Sequence, residues 1–395
     1  MVRVLESKKN LDYQTIAAEV SQALAVNALE RDRLGGIPQE EIELLKKSGL
    51  LLLSVPQEYG GIGATWTETY KVVQTLSKAD GSLGQLYTNH VTLAVLGEVI
   101  GRAGQAEKFY RLTSEQNLFW ANALNGRDAR LKITPDGNNY LVNGIKSFGT
   151  GVAIGDLNVI AAIREGVEAP IIFVLPKDRT GTTYNYDWHN MGQRRTVSGS
   201  YTFNNVSVAP EEILGPPLAP ESAFPTLIFL VAQLSKTFVY LGIAEGALEA
   251  ARKYTLTNTR PWMSSGVDKA ANDPFILHHY GELWTELQAA IALAERAAQK
   301  IDRGWQKSIK LTFEERGEIA IAVSAAKAFA AKAGLEVTNR IFEVTGARAT
   351  AERYGFDRYW RDLRTFTLHD PVDYKLRDVG NWLLNDIFPT PSQYS

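Results

Sequence analysis

Apolar residues recur at helical spacing from Leu11 to about Ile100, which places them on one face of successive helices. Pro38 opens a short helix that Gly49 closes, and Thr65-Trp66-Thr67-Glu68 has the form of a capping box ahead of another. Between them, VPQEYGGIGA carries Gly60, Gly61 and Gly63 and predicts an irregular exposed turn. A helix after Gly81-Ser82 carries Tyr87, Asn89 and His90 among apolar residues. Near Phe119 the pattern changes to short runs of valine, isoleucine and aromatics, broken by Asp136-Gly137, Asn143-Gly144 and the glycines from Gly149 to Gly155. This is β structure with tight turns. It runs to about Leu214, ahead of a boundary at Gly215-Pro216-Pro217.

From Ser222 the period lengthens again. One helix runs to about Asn258; a second starts at Asp273-Pro274, an N-cap followed by proline, and ends near Gly304. A third starts at Thr312, with Glu315 three residues on, and finishes at Gly346. Alanine-rich helices of this length pack as a bundle. The expected fold class is α+β: an N-terminal helical domain over 1–118, a middle β-barrel domain over 119–216 and a C-terminal four-helix bundle over 217–395.

Composition narrows the chemistry. The chain has 395 residues, 42 basic against 44 acidic side chains and no cysteine. Near-neutral charge gives no general attraction to nucleic acid or anionic lipid, and without cysteine there is no disulfide, thiolate catalysis or cysteine metal site. No metal site is expected. The first twenty residues mix both charge signs around no apolar core, so a cytoplasmic protein without a signal peptide is expected. The most apolar run, Phe224 to Ala244, is interrupted by Pro225, Gln233 and Lys236, which suits a buried helix better than a membrane span.

The candidate chemistry gathers in YGFDRYWRDLRTFTLHDPVDY, from Tyr354 to Tyr374. Pro371 stops any helix carrying the pair His369-Asp370, because the residue before proline is pushed out of the helical region. Imidazole gives or takes a proton near neutral pH; the plainer alternative is that Asp370 caps the next helix and His369 lines a crevice. No G-x-G-x-x-G follows a strand in a βαβ unit, so no nicotinamide site is expected.

The element order, with VPQEYGG, LVNGIKSFGTG, MGQRRTVSGSYTFNNVSV and YWRDLRT, resembles the acyl-CoA dehydrogenase superfamily over nearly the whole chain. More narrowly, ERDRLGG, ADGSLGQLY, YLGIAEGALEAARKYT, RPW, FEVTGARAT and LHDPVDYK resemble the reduced-flavin oxygenases of the dibenzothiophene monooxygenase type. The resemblance implies reduced FMN from a separate flavin reductase, dioxygen as co-substrate and a C4a-hydroperoxyflavin that oxygenates an apolar, aromatic or organosulfur molecule. It implies proton donors His369, His90 and Thr150 at the flavin edge. Asn122, Lys146, Phe148 and Asp370 join them on the cofactor, with Arg260 and Arg348 on its phosphate. Tyr87, Trp120, Trp188 and Trp262 are aromatic candidates for holding substrate. A homotetramer built from the C-terminal bundles is expected.

Two departures separate the chain from the dehydrogenases. Where those carry a catalytic glutamate in a Tyr-Glu-Gly tripeptide, this chain has His369-Asp370-Pro371, and a misplacement of about 1 Å costs on the order of a hundredfold in rate. Where they carry a glycine pair against FAD, it has Glu343 and Val344, which are expected to crowd a pyrophosphate and so favour FMN. An acyl-CoA dehydrogenase with an atypical base is the alternative.

Overall fold

The computed structural model describes residues 12–167 and 169–395. Leu11 and the start of the N-terminal segment lie outside the described residues. Seven helices come first: α1 (Tyr13–Ala25), α2 (Ala28–Leu34), α3 (Gln39–Ser48), α4 (Trp66–Ala79), α5 (Gly81–Leu93), α6 (Leu96–Ile100) and α7 (Gln105–Gln116). Their ends follow local chemistry. Gly49 closes α3 at φ 78°, a left-handed conformation that suits glycine. Thr65 and Glu68 form the reciprocal capping box at α4, and Asp80 caps α5 by accepting from the N–H groups of Ser82 and Leu83. The glycine-rich turn holds a single 3-10 turn at Gln57–Tyr59.

The middle region has seven strands: β1 (Trp120–Ala123), β2 (Lys132–Asp136), β3 (Asn139–Lys146), β4 (Leu157–Ala162), β5 (Ile171–Pro176), β6 (Thr182–Tyr184) and β7 (Tyr201–Val208). They form two sheets, of order β1-β4-β5 and β2-β3-β7-β6. A bridge from Lys132 to Ile163 links the sheets. Ala123, Ile133, Val142, Ile160, Phe173, Phe203 and Val206, drawn from both sheets, share one core. A second bridge, Asn122 to Thr150, ties β1 to the glycine-rich segment after β3.

Five helices complete the chain: α8 (Phe224–Thr257), α9 (Pro274–Lys307), α10 (Phe313–Thr345), α11 (Asp357–Thr367) and α12 (Val372–Asn385). The Asp273 cap, the Thr312-Glu315 capping box and the Gly346 stop all stand where the sequence puts them. By length and composition α8 could cross a membrane, yet 89% of its most apolar window is buried inside the protein. At 1.5 Å per residue α10 is about 50 Å long, and it packs against α8, α9, α11 and α12.

The approach to His369 differs in detail from expectation. The helix α11 ends at Thr367, and the Leu368 to Pro371 link carries His369 and Asp370 between α11 and α12. Pro371 is the N-cap of α12 and no side chain caps it. Asp370 therefore does not cap the next helix.

Candidate active site

Asp370 is 5% exposed and stands at the meeting point of three elements. Its Oδ1 accepts from Lys327 Nζ on α10 at 2.5 Å and lies 3.0 Å from His369 Nδ1. Its Oδ2 lies 3.4 Å from Lys375 Nζ on α12. Burial pushes the carboxyl up, but His369, Lys327 and Lys375 outweigh it and hold the group well below the usual carboxylate range. An ionised carboxylate only accepts, so Nδ1 of His369 carries the hydrogen. His369 Nε2 has no hydrogen-bond partner among the described residues, and 38% of the side chain is exposed. Desolvation first, then Lys236 and Lys327, lower the imidazole to about 4 against the pull of Asp370. The ring is thus neutral at pH 7 and offers an acceptor at Nε2, not the donor that was expected.

The chain's last residues pack beside this histidine. Tyr394 meets the His369 ring edge-on at 6.2 Å, while its carbonyl accepts from Lys375. Ser395 O accepts from the buried Arg316 at 2.5 Å. A Cβ on Gly126 would lie 2.2 Å from Gln393 Oε1, so the tail also touches the Leu124 to Leu131 loop. That loop is braced from within: Asp128 accepts from Arg130 and from the backbone N–H and hydroxyl of Ser147. Lys146, expected at the cofactor, is 1% exposed and donates to Asp128 O at 2.7 Å. It holds the loop with one of its ammonium hydrogens.

Thr150 ends a chain of hydroxyls. Thr196 Oγ1 donates to Gln193 O, a carbonyl that only accepts. Ser198, 2.8 Å from Thr196, must then donate to it, and Thr150, 2.9 Å from Ser198, must donate in turn. With its one hydrogen committed, Thr150 offers lone pairs, again an acceptor where a donor was expected. Gln193 is fixed by its N–H to Asp362 Oδ1, 2.6 Å. The adjoining Gly192 lies so close to α11 that a Cβ would sit 2.0 Å from Arg361 O; only glycine fits. Trp188 Nε1 donates to the same Gln193 carbonyl. Its ring meets Phe148 edge-on at 6.1 Å, and Phe148, at φ 57°, remains 57% exposed. Asn122 is half-buried beside Thr150, whose carbonyl accepts its backbone N–H at 3.2 Å.

Three further candidates belong to the core. His90 is fully buried; its Nε2 lies 2.7 Å from Leu51 O and its Nδ1 accepts from Trp120 N–H at 3.1 Å. Both ring nitrogens are used, and burial lowers the group to about 4, so His90 has no proton for a ligand. Tyr87 is fully buried with its hydroxyl on Leu50 O. Trp120 is 1% exposed with Nε1 on Thr113 Oγ1 and its ring against Phe109. Neither can hold a substrate. Their residue types suit a pocket as well as a core, and one sequence does not distinguish the two.

Arg260 and Arg348 are exposed, and no hydrogen bond or ion pair engages either guanidinium among the described residues. Their segments are tied together by Thr259 Oγ1 donating to Thr345 O. Two free guanidiniums on adjoining segments fit a phosphate. They lie at the far end of α10, eighteen residues or about 27 Å from Lys327, which is further than one FMN reaches. Val344, expected to crowd a cofactor, is instead fully buried with its carbonyl on Thr255, and Glu343 pairs with Arg340 at 3.0 Å and His279 at 3.4 Å. Val344 does not crowd a pyrophosphate, whereas the Glu343 carboxylate is paired but 44% exposed, so the valine half of that ground for choosing FMN fails. Trp262 is 68% exposed.

Sequence reasoning missed Lys327, Lys375 and the tail. A signal existed for part of this: Gln233 and Lys236, the polar breaks in the apolar run of α8, lie at the same cluster, where Gln233 Oε1 accepts from Lys327 and Asp370 acts on Lys236.

Comparison with known proteins places the chain in a family. Family models for the acyl-CoA dehydrogenase N-terminal and C-terminal domains match residues 11–111 and 234–374. A probable FMNH2-dependent monooxygenase of Pseudomonas putida is 42% identical over 96% of this chain and 96% of its own length. A dibenzothiophene monooxygenase of Mycolicibacterium goodii is 42% identical over 98% and 97%. The structure of a methanesulfinate monooxygenase from Pseudomonas fluorescens superposes with a TM-score of 0.96 at 42% identity, covering 98% of this chain and 100% of that one. The chain is a member of the acyl-CoA dehydrogenase family, in its flavin-dependent monooxygenase branch, and is an oxidoreductase.

Proposed function

We propose that this protein is a cytoplasmic, reduced-FMN-dependent monooxygenase that adds one oxygen atom to the sulfur of an organosulfur substrate. The observation that carries this reading is His369, with Nδ1 anchored on Asp370 and Nε2 left open at the end of α11. Reduced FMN supplies the electron pair that activates dioxygen. With the cofactor bound, Nε2 of His369 would take up and return a proton, and the lone pairs of Thr150 would accept a hydrogen bond. Asn122, Phe148 and Trp188 flank that face, and Trp188 with the tail residue Tyr394 shields it from water. Two relatives, one named for dibenzothiophene and one for methanesulfinate, support sulfur as the atom oxygenated.

Asp370 is unsuited to the alternative, α-proton abstraction from an acyl-CoA. Both of its oxygens are drawn to cations and it is held well below the usual carboxylate range, so it is a weak base.

Arg260 and Arg348 of one copy complete the site of another, since both they and His369 cannot reach one FMN within a single chain. A homotetramer supplies such neighbours. Phe275, Leu277 and Trp284 on the outer face of α9 are more than half exposed, and Leu277 and Trp284 with Leu248, Ile276 and Tyr280 border a groove of 510 Å³ between α8 and α9. Light scattering should give four copies; a monomer at micromolar concentration contradicts the shared site. A separate reductase supplies the flavin.

The test is to supply photoreduced FMN or FAD aerobically with aromatic thioethers and alkanesulfinates, measuring oxygen, peroxide and product mass. Product with FMN supports the reading. Peroxide alone across both sulfur classes, or anaerobic bleaching of bound oxidised flavin by an acyl-CoA, overturns it.

A further inference from the structure

Four buried cations from three helices stand behind His369, with the Asp370 carboxylate at the centre of the three lysines. Lys236 on α8 is 8% exposed, Lys327 and Arg316 on α10 are 1% exposed and Lys375 on α12 is 4% exposed. Arg316 is met by Ser395 O, and Asp378, paired with Arg377 at 2.7 Å, also acts on Lys375. Among the described residues Lys236 has no carboxylate within ion-pair distance, and it donates to Ala232 O of its own helix. Isolated buried ammonium groups are costly, so three lysines gathered around one buried carboxylate need a reason to persist.

We propose that Lys327 is a positioning residue for the oxygenation reaction, acting through Asp370 to fix the tautomer and the protonation state of His369. The inference rests on the reading of His369 as a site residue given above. Its geometric basis is one shared atom: Oδ1 of Asp370 takes both Lys327 Nζ, at 2.5 Å, and His369 Nδ1, at 3.0 Å. Lys327 is itself oriented by Gln233 Oε1. The ammonium keeps Asp370 ionised, and an ionised Asp370 keeps the hydrogen of His369 on Nδ1. The open atom is therefore always Nε2. The same positive charge opposes a second proton on the ring, so the imidazole stays neutral and Nε2 stays an acceptor.

The other groups that bear on the ring act in known directions. Lys236 adds to the repulsion. Lys375 draws on the other oxygen of Asp370, and Arg316 lies behind Lys375. The Tyr240 hydroxyl, pushed well up by burial, donates to Phe366 O and stays neutral. The Tyr394 ring carries no charge toward His369. Burial lowers Lys327 to about 7 and Lys236 to about 8. Both are charged throughout the range below pH 6 in which His369 titrates, so removing either should raise the His369 pKa.

The test uses the full-length protein without flavin. With five histidines in the chain, the His369 imidazole resonances are assigned by difference against His369→Gln and titrated by NMR. In Lys327→Met the His369 pKa should rise by about one unit or more. Lys327→Arg should restore the titration of the unaltered protein, because it restores the charge. Should Lys327→Met fail to fold, Lys236→Met, which breaks no carboxylate contact, should shift the pKa in the same direction by less. An unchanged His369 pKa in whichever charge-removing variant folds overturns the proposal. If the pKa rises but product yield per FMN oxidised does not change with it between pH 5 and 7, Lys327 still governs the ring and the assignment of His369 to the oxygenation site falls.

Discussion

His90 and His369 carry the same side chain, sit in the two helical parts of the chain and are both held at about 4, yet their surroundings differ. His90 lies between α5, the Leu50 to Leu53 turn and β1, stacked on Phe119 at 5.4 Å, with a backbone group on each nitrogen. His369 lies where α8, α10 and α12 bring lysines around one carboxylate, and one of its nitrogens is open. Burial depresses the first, with Lys46 the smallest contributor, whereas burial and two nearby lysines together depress the second. A low pKa or a buried position does not separate a structural histidine from one at a site. The unfilled valence does, together with an anchored partner on the opposite nitrogen.

The largest effect that tests this contrast is on coupling. His369→Ala should cut product formed per FMN oxidised on the order of a hundred- to a thousandfold, with hydrogen peroxide in its place and FMN affinity unchanged; product and peroxide are counted in the same reaction. His90 should instead govern stability. Its folded pKa is depressed from 6.5 to about 4, so the unfolded chain binds more protons between those values. The contribution is complete above pH 6.5 and is lost as pH falls through 4, about 3 kcal/mol in all. Denaturation midpoints of the unaltered protein should fall across that window. His90→Phe should flatten the slope and destabilise at pH 7, since Leu51 O and Trp120 N–H lose their partner.

A smaller effect is expected at the far end of α10. Arg348→Ala should weaken FMN binding by about 2 kcal/mol, the scale of a charge-assisted hydrogen bond. Titration by flavin fluorescence measures it, and coupling at saturating FMN should be unchanged. The smallest is Tyr87→Phe, which should cost about 1 kcal/mol for the lost bond to Leu50 O and leave the range of substrates alone. A changed substrate range would return Tyr87 to the pocket.

The contrast between the two histidines also marks what one sequence conveys. Helix ends were legible because they are written in adjacent residues: the Thr65-Glu68 and Thr312-Glu315 capping boxes, Asp273-Pro274, Gly49 and Gly346 all act within a turn. The change of period near Phe119 likewise located the strands. Side-chain fate depends on contacts far along the chain. Tyr87 meets Leu50, Trp120 meets Thr113, and Lys327, set in an alanine-rich helix like any solvent-facing lysine, meets Asp370. Hydrogen direction was further out of reach. That Thr150 and His369 present acceptors follows only from tracing each hydrogen to Gln193 O and Asp370.

The central claim, transfer of one oxygen atom from dioxygen at the His369 site, is met most directly by isotope. The protein is mixed with photoreduced FMN and an organosulfur substrate under oxygen-18 gas, and the product mass is compared with that from His369→Ala. The account predicts one labelled oxygen atom per product molecule with the unaltered protein, and label recovered in hydrogen peroxide with the variant. Unlabelled product, or labelled product in undiminished yield from His369→Ala, would contradict it.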